Sequence, residues 1–109
     1  MSMENFKMTS SRGDEELNCY RWVPEGEPVA ALQIVHGMTE HILRYSDFAE
    51  FLNGRGFVVY GHDHLGHGKS CQDPSRLGFI SSENGYHYLV EDLHAVSLHL
   101  KKRYPDLPL

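Results

Sequence analysis

The sequence holds only two cysteines, Cys19 and Cys71, and no C-x-x-C spacing. Two isolated thiols cannot build a disulfide framework, so reduced cysteines in a cytoplasmic protein are expected. Long apolar runs are missing too. The longest, Val29 to Val35, is interrupted by Gln33 and falls far short of the roughly 20 residues that span a bilayer, so no transmembrane segment is expected. The opening stretch MSMENFKMTSSRGDEELN is polar and acidic, and no secretory signal can be read in it. Positive charge is in deficit, with 10 Lys and Arg against 15 Asp and Glu for a net charge of −5. That balance argues against a nucleic-acid partner, because no basic stripe is available to displace counterions from phosphates. The one basic cluster, Lys101-Lys102-Arg103, falls at a predicted helix end and reads as a solvated terminus complementing the helix dipole.

A chain of 109 residues makes one domain at most. Phe6–Thr9 and Leu17–Val23 read as short strands around a turn at Arg12-Gly13-Asp14. The second alternates, with Leu17, Cys19, Arg21 and Val23 on one side, as a sheet edge with one wet face would. Pro24 to Pro28 punctuates the chain, and the run Val29–Val35 predicts a parallel strand meant to be covered on both faces and paired on both sides. Its second partner would begin near Leu109, so an apolar edge is expected to stand open within these residues. Tyr45, Phe48, Ala49 and Leu52 then mark one face of a helix, which Gly54 and Gly56 can stop. Phe57–Tyr60 predicts another strand. Tyr86, Leu89, Leu93, Val96, Leu100 and Tyr104 define a long helix that starts near Ser81–Glu83 and ends before Pro105. Leu107-Pro108-Leu109 reads as the start of a further strand.

Strand, helix, strand, helix with short connections indicates βαβ units and an α/β fold with a mostly parallel sheet. Ligands of such sheets sit outside the carboxyl ends of the strands. Two unusual segments follow strand ends, His36–His41 and Gly61–Ser70, so both should line one rim. At His36-Gly37-Met38 the glycine lets the backbone turn and expose N–H groups, which suits either a plain strand-to-helix turn or an oxyanion hole. His62, His64 and His67 form H-x-H-x-x-H after an apolar strand. This resembles the H-x-H-x-D-H of metallo-β-lactamase-type hydrolases and gives the alternative of a metal-dependent hydrolase, although Gly66 stands where that motif has aspartate. His87, His94 and His99 show no ligand spacing and are expected at surface or half-buried positions.

The stretch Leu32-Gln-Ile-Val-His36-Gly37-Met38-Thr39-Glu40-His41, with Arg44-Tyr45 and Phe48-Ala49 behind it, resembles the H-G-x-x-E-H…R-Y region of α/β-hydrolases of the lysophospholipase and monoacylglycerol-lipase kind, the S33-type hydrolase domain. Asp63-His64-Leu65-Gly66-His67-Gly68-Lys69-Ser70 is similar to their D-x-x-G-x-G-x-S loop, and Tyr104-Pro105-Asp106-Leu107-Pro108 to the end of the helix before their nucleophile strand. The resemblance runs from about residue 5 to residue 109 in consistent order. It implies a serine hydrolase acting on carboxylic esters or lipids without a cofactor. The Met38 N–H would be an oxyanion-hole donor. His36, Gly37, Asp63 and His64 would shape the site loops, with Gly66, Gly68 and Ser70 as support and His41 helping to order its loop.

These enzymes carry their nucleophile in G-x-S-x-G on a sharp strand-to-helix turn. No serine of this chain meets the pattern; Ser70, in Gly68-Lys-Ser-Cys-Gln72, fails on the second glycine. Residues 1–109 are therefore expected to be the amino-terminal portion of one α/β-hydrolase domain that stops before the nucleophile, and to be inactive alone.

Overall fold

The computed structural model describes residues 2–109. Four strands form one sheet in the order β1-β2-β4-β3: β1 (Ser2–Thr9), β2 (Glu16–Val23), β3 (Ala30–Val35) and β4 (Phe57–His62). The β1–β2 and β2–β4 pairs are antiparallel, and β3 runs parallel to β4. Helix α1 (Ser46–Asn53) joins β3 to β4 after a short 3₁₀ turn at Ile42–Tyr45, and α2 (Gly85–Arg103) follows the long loop beyond β4.

The core divides across the sheet because successive strand side chains point to opposite faces. Leu17 and Cys19 of β2, Ala31 of β3, and Val58 and Tyr60 of β4 pack with Val96 and Leu100 of α2. Tyr20 and Trp22, Ile34 and Val59 face the other way, onto Ile42, Ala49 and Leu52. Strand β2 is thus an interior strand buried on both faces, not the half-wet edge that its alternation suggested. The reason is β1, whose register runs from Ser2↔Val23 to Thr9↔Glu16. Backbone pairing extends β1 four residues ahead of Phe6 through residues too exposed to leave an apolar pattern.

β3 lies at the sheet edge, with its last residue Val35 44% exposed, because among the described residues only β4 pairs along its length. On its other side one bond is made, from the Ala31 N–H to the Pro108 carbonyl (2.8 Å), while Leu107 packs against the α2-side core. Leu107–Leu109 therefore approaches β3 as the start of a strand would, without forming one.

α1 buries Ala49 and Leu52 as expected, but Phe48 is half exposed, and the third buried residue is Asn53, whose amide donates to the carbonyls of Trp22 and Phe57. The fully buried positions of α2 begin only at Asp92, so Tyr86 in the first turn stays exposed. Asp92 itself is buried. Its carboxylate accepts from the Ser10 hydroxyl (2.8 Å) and from the Ser11 N–H (2.6 Å) and hydroxyl (2.7 Å), which pins α2 to the β1–β2 turn. Both cysteines are free thiols, and burial pushes that of Cys19 up to about 12. Among the described residues, no helix is long and apolar enough to cross a membrane.

Candidate functional site

The parallel register ends at Val35↔His62, so the segments leaving β3 and β4 emerge side by side. His36 and His64 then hold each other reciprocally. The His64 backbone N–H donates to His36 Nε2 (3.0 Å), and His64 Nε2–H donates to the His36 carbonyl (3.0 Å). An accepting Nε2 fixes His36 as the neutral Nδ1–H tautomer, and that proton points to the Gly37 carbonyl at 2.7 Å. The rings meet edge-on with centroids 4.4 Å apart.

Beyond His36, the Gly37 N–H donates to Glu40 Oε2 (2.9 Å), while Glu40 Oε1 takes the Tyr45 hydroxyl and pairs with Arg44. The Tyr45 hydroxyl bond is the main reason that the Glu40 carboxyl is held below its ordinary pKa. A Cβ at Gly37 would come within 2.5 Å of Glu40 Oε2, so a larger residue there would displace the carboxylate from the Gly37 N–H. Met38 follows at the surface, and its N–H meets no acceptor among the described residues. It borders an open, mostly apolar cleft of about 340 Å³ between the two loops, with Thr39 and Glu40 on one side and Gly66, His67 and Gly68 on the other.

The second loop is organised by the buried Asp63 carboxylate. Oδ1 accepts the Ile42 N–H of the first loop (2.8 Å), and Oδ2 accepts from Asn18 Nδ2 and the Lys69 N–H (3.0 Å each). Gly68 lies so close that a Cβ there would be 2.4 Å from the carboxyl carbon. Ser70 is buried beside it, donating to the Asp63 carbonyl (2.7 Å) and accepting the Asn18 N–H (2.9 Å). Its hydroxyl is a strut, and among the described residues no serine hydroxyl is hydrogen-bonded to a histidine.

The rim thus brings His36, Gly37, Met38, Asp63 and His64, the residues singled out in the sequence, into one neighbourhood. The metal alternative is not supported. His64 Nε2 is bonded to the His36 carbonyl and His67 Nδ1 to the Leu65 carbonyl, which leaves His64 Nδ1, His67 Nε2 and both His62 nitrogens unpartnered among the described residues, but these do not converge on one point. Among the described residues, no group of three His, Cys, Asp or Glu side chains is arranged to hold a metal ion. His41 is exposed, and no side-chain bond of its own orders the loop among the described residues; Glu40 has that part. Asn18 escaped the sequence reading, although an amide between two buried apolar neighbours in a strand was the available signal.

Burial lowers the basicity of His36, His64 and above all His62, which is held at about 3 with neither ring nitrogen partnered among the described residues. An unfolded chain takes up a proton at His62 near the ordinary value of about 6.5, but the folded chain does not until about 3, so falling pH favours unfolding throughout that window. Stability is expected to hold above about pH 6.5 and to fall below it by about 1.4 kcal/mol per pH unit from His62 alone, levelling near 3. His36 and His64 steepen the first part of the fall. Urea midpoints across this range measure the effect, and a midpoint unchanged between about pH 7.5 and 5 would contradict it.

The sheet, its flanking helices and the joined rim loops are those of an α/β-hydrolase. The structure of a thermostable carboxyl esterase from Bacillus coagulans, in complex with glycerol, superposes with a TM-score of 0.89 at 32% identity, covering 99% of this chain and 34% of that one. Residues 26–109 match the family described as serine aminopeptidase, S33, and the chain belongs to that family. It is 37% identical over 93 residues to the monoglyceride lipase of Homo sapiens, a match covering 85% of this chain and 29% of the lipase. Protein K6 of Vaccinia virus (strain Western Reserve) is 43% identical over 64 residues, covering 59% of this chain and 79% of its own length. The chain therefore spans less than a third of the length of the lipase it matches.

Proposed function

We propose that residues 1–109 supply the oxyanion-side rim of a serine hydrolase that cleaves carboxylic esters, with monoacylglycerols or lysophospholipids as the substrate class. The observation that carries this reading is the Met38 N–H, left without an acceptor at the edge of an apolar cleft. Around it, Glu40 fixes the turn and the His36–His64 pair fixes the turn to its neighbour. A donor placed in advance at the point where a tetrahedral oxyanion develops stabilises the transition state without reorganising. The methionine side chain points to no chemistry of its own; the backbone carries the role. The nucleophile, its histidine and its acid would come from residues outside these 109, since the one serine close to the required pattern, Ser70, is a buried strut. No cofactor is needed for this chemistry, and the free thiols fit a cytoplasmic site of action.

Two measurements test the reading. The 109-residue chain is expected to show no triad-dependent esterase activity; stoichiometric labelling of a single serine by a fluorophosphonate probe would overturn that. In a longer polypeptide that carries G-x-S-x-G, Met38→Pro removes the N–H and is expected to lower kcat by about 10²–10³, whereas Met38→Ala keeps the donor and most of the rate. Equal rates for the two variants would sink the assignment.

A further inference from the structure

One side-chain cluster is left unused by the proposed chemistry. Arg21 of β2 and His99, Lys102, Arg103 and Tyr104 at the end of α2 line an open recess of about 550 Å³ that shares no residue with the rim cleft. Among the described residues no carboxylate lines it, in a chain whose net charge is −5. A helix end needs basic residues only from its own last turn to complement its dipole. Arg21 comes from the other end of the sequence and brings a further positive charge to the same recess, where three cations face one another with Glu4 as the partner of Arg21.

The cations are also held in place. The Arg21 guanidinium is anchored by Glu4, the one acid at its side, and lies 5.7 Å from the Phe6 ring centre. His99 stacks on that same ring at 5.0 Å, and the Arg103 guanidinium lies 5.9 Å from the ring of Tyr104. Aromatic faces thus steady the groups while leaving outward N–H donors for a ligand. Nearby Arg21, Lys102 and Arg103 add to burial in lowering the basicity of His99, as a concentrated positive field would.

We infer that this recess binds the phosphoryl group of a phosphate ester. Two guanidinium groups and an ammonium outnumber the single Glu4, and a dianion with three terminal oxygens matches forked donors better than a carboxylate does. The Tyr104 ring offers an apolar wall to whatever the phosphoryl group carries. Excess acid over the rest of the surface repels an extended polyanion, so a single phosphorylated molecule is the ligand that fits. The phosphoryl group can belong to a soluble monoester or to an anionic phospholipid headgroup.

The test follows the His99 ring resonances by NMR while the 109-residue chain is titrated at low salt with glycerol phosphate. A saturable shift is expected, weakened about tenfold or more by Lys102→Glu/Arg103→Glu and unchanged by Arg55→Glu, which alters an exposed cation elsewhere. Circular dichroism checks that the variants fold, and Arg103→Gln replaces the double variant if it does not. Sedimentation with phosphatidic acid vesicles but not phosphatidylcholine vesicles, lost in the same variant, assigns the ligand to a headgroup; no sedimentation assigns it to a soluble ester. A linear shift reproduced by chloride at equal ionic strength, or equal weakening by Arg55→Glu, overturns the inference.

Discussion

Asp63→Ala is expected to cost about 3–5 kcal/mol, a large part of the roughly 5–15 kcal/mol that stabilises a domain. The carboxylate accepts from Ile42, Asn18 and Lys69, which belong to the first rim loop, to β2 and to the second loop. Alanine would leave the buried Ile42 and Asn18 donors, and the N–H of the more exposed Lys69, facing a void, each losing a bond to a charged acceptor. Asp63→Asn is a sharper probe than it looks. All three partners are donors, so an amide nitrogen placed among them has nothing to donate to and repels at least one. We expect asparagine to recover less than half of the alanine loss, read as urea midpoints followed by circular dichroism. A loss below about 1 kcal/mol for alanine would mean that water replaces the carboxylate and that Asp63 does not organise the rim.

The second large effect is expected at Gly66. Its φ is +73°, and a Cβ there would lie 2.2 Å from the Phe79 backbone oxygen. The same segment is closed by the Gly78 N–H donating to the Gly66 carbonyl (2.7 Å), so the clashing backbone cannot withdraw without losing that bond. Gly66→Ala therefore adds a main-chain collision to left-handed strain and is expected to lose about 3 kcal/mol or more. Gly13 is the internal control. Its φ is +93°, yet nothing lies within 4 Å of its would-be Cβ. Gly13→Ala should lose only the strain, about 1–2 kcal/mol. Similar midpoint shifts for the two alanine variants would show that strain alone governs Gly66.

How much of this was legible in the sequence depends on the kind of signal each residue leaves. The parallel pair β3–β4 and helix α2 announce themselves through apolar runs and periodicity, and the two rim segments through their glycines and histidines. Topology then brings His36 beside His64, since parallel strands must end on the same side. Edges are less legible. Whether β2 or β3 lies inside the sheet depends on which strands pair beside it, and pairing is a long-range fact absent from any local window. Buried polar partners are least legible. Asp92 looks like one more surface acid of an amphipathic helix until Ser10 and Ser11, some eighty residues away, are seen to donate to it. The H-x-H-x-x-H spacing misleads for a related reason. Spacing says nothing about where the nitrogens point, and among the described residues the three rings are not arranged around a common point that could hold an ion.

The mutual hold of His36 and His64 has a consequence for protein engineering. Each loop contributes one main-chain group and one ring nitrogen to the joint, so neither loop carries the instructions for its own shape. Transplanting the His36–Tyr45 segment alone onto another parallel sheet would deliver a ring without its amide and a carbonyl without its donor. The transferable module is the pair of loops together with Asp63, which ties the second loop to Ile42 of the first.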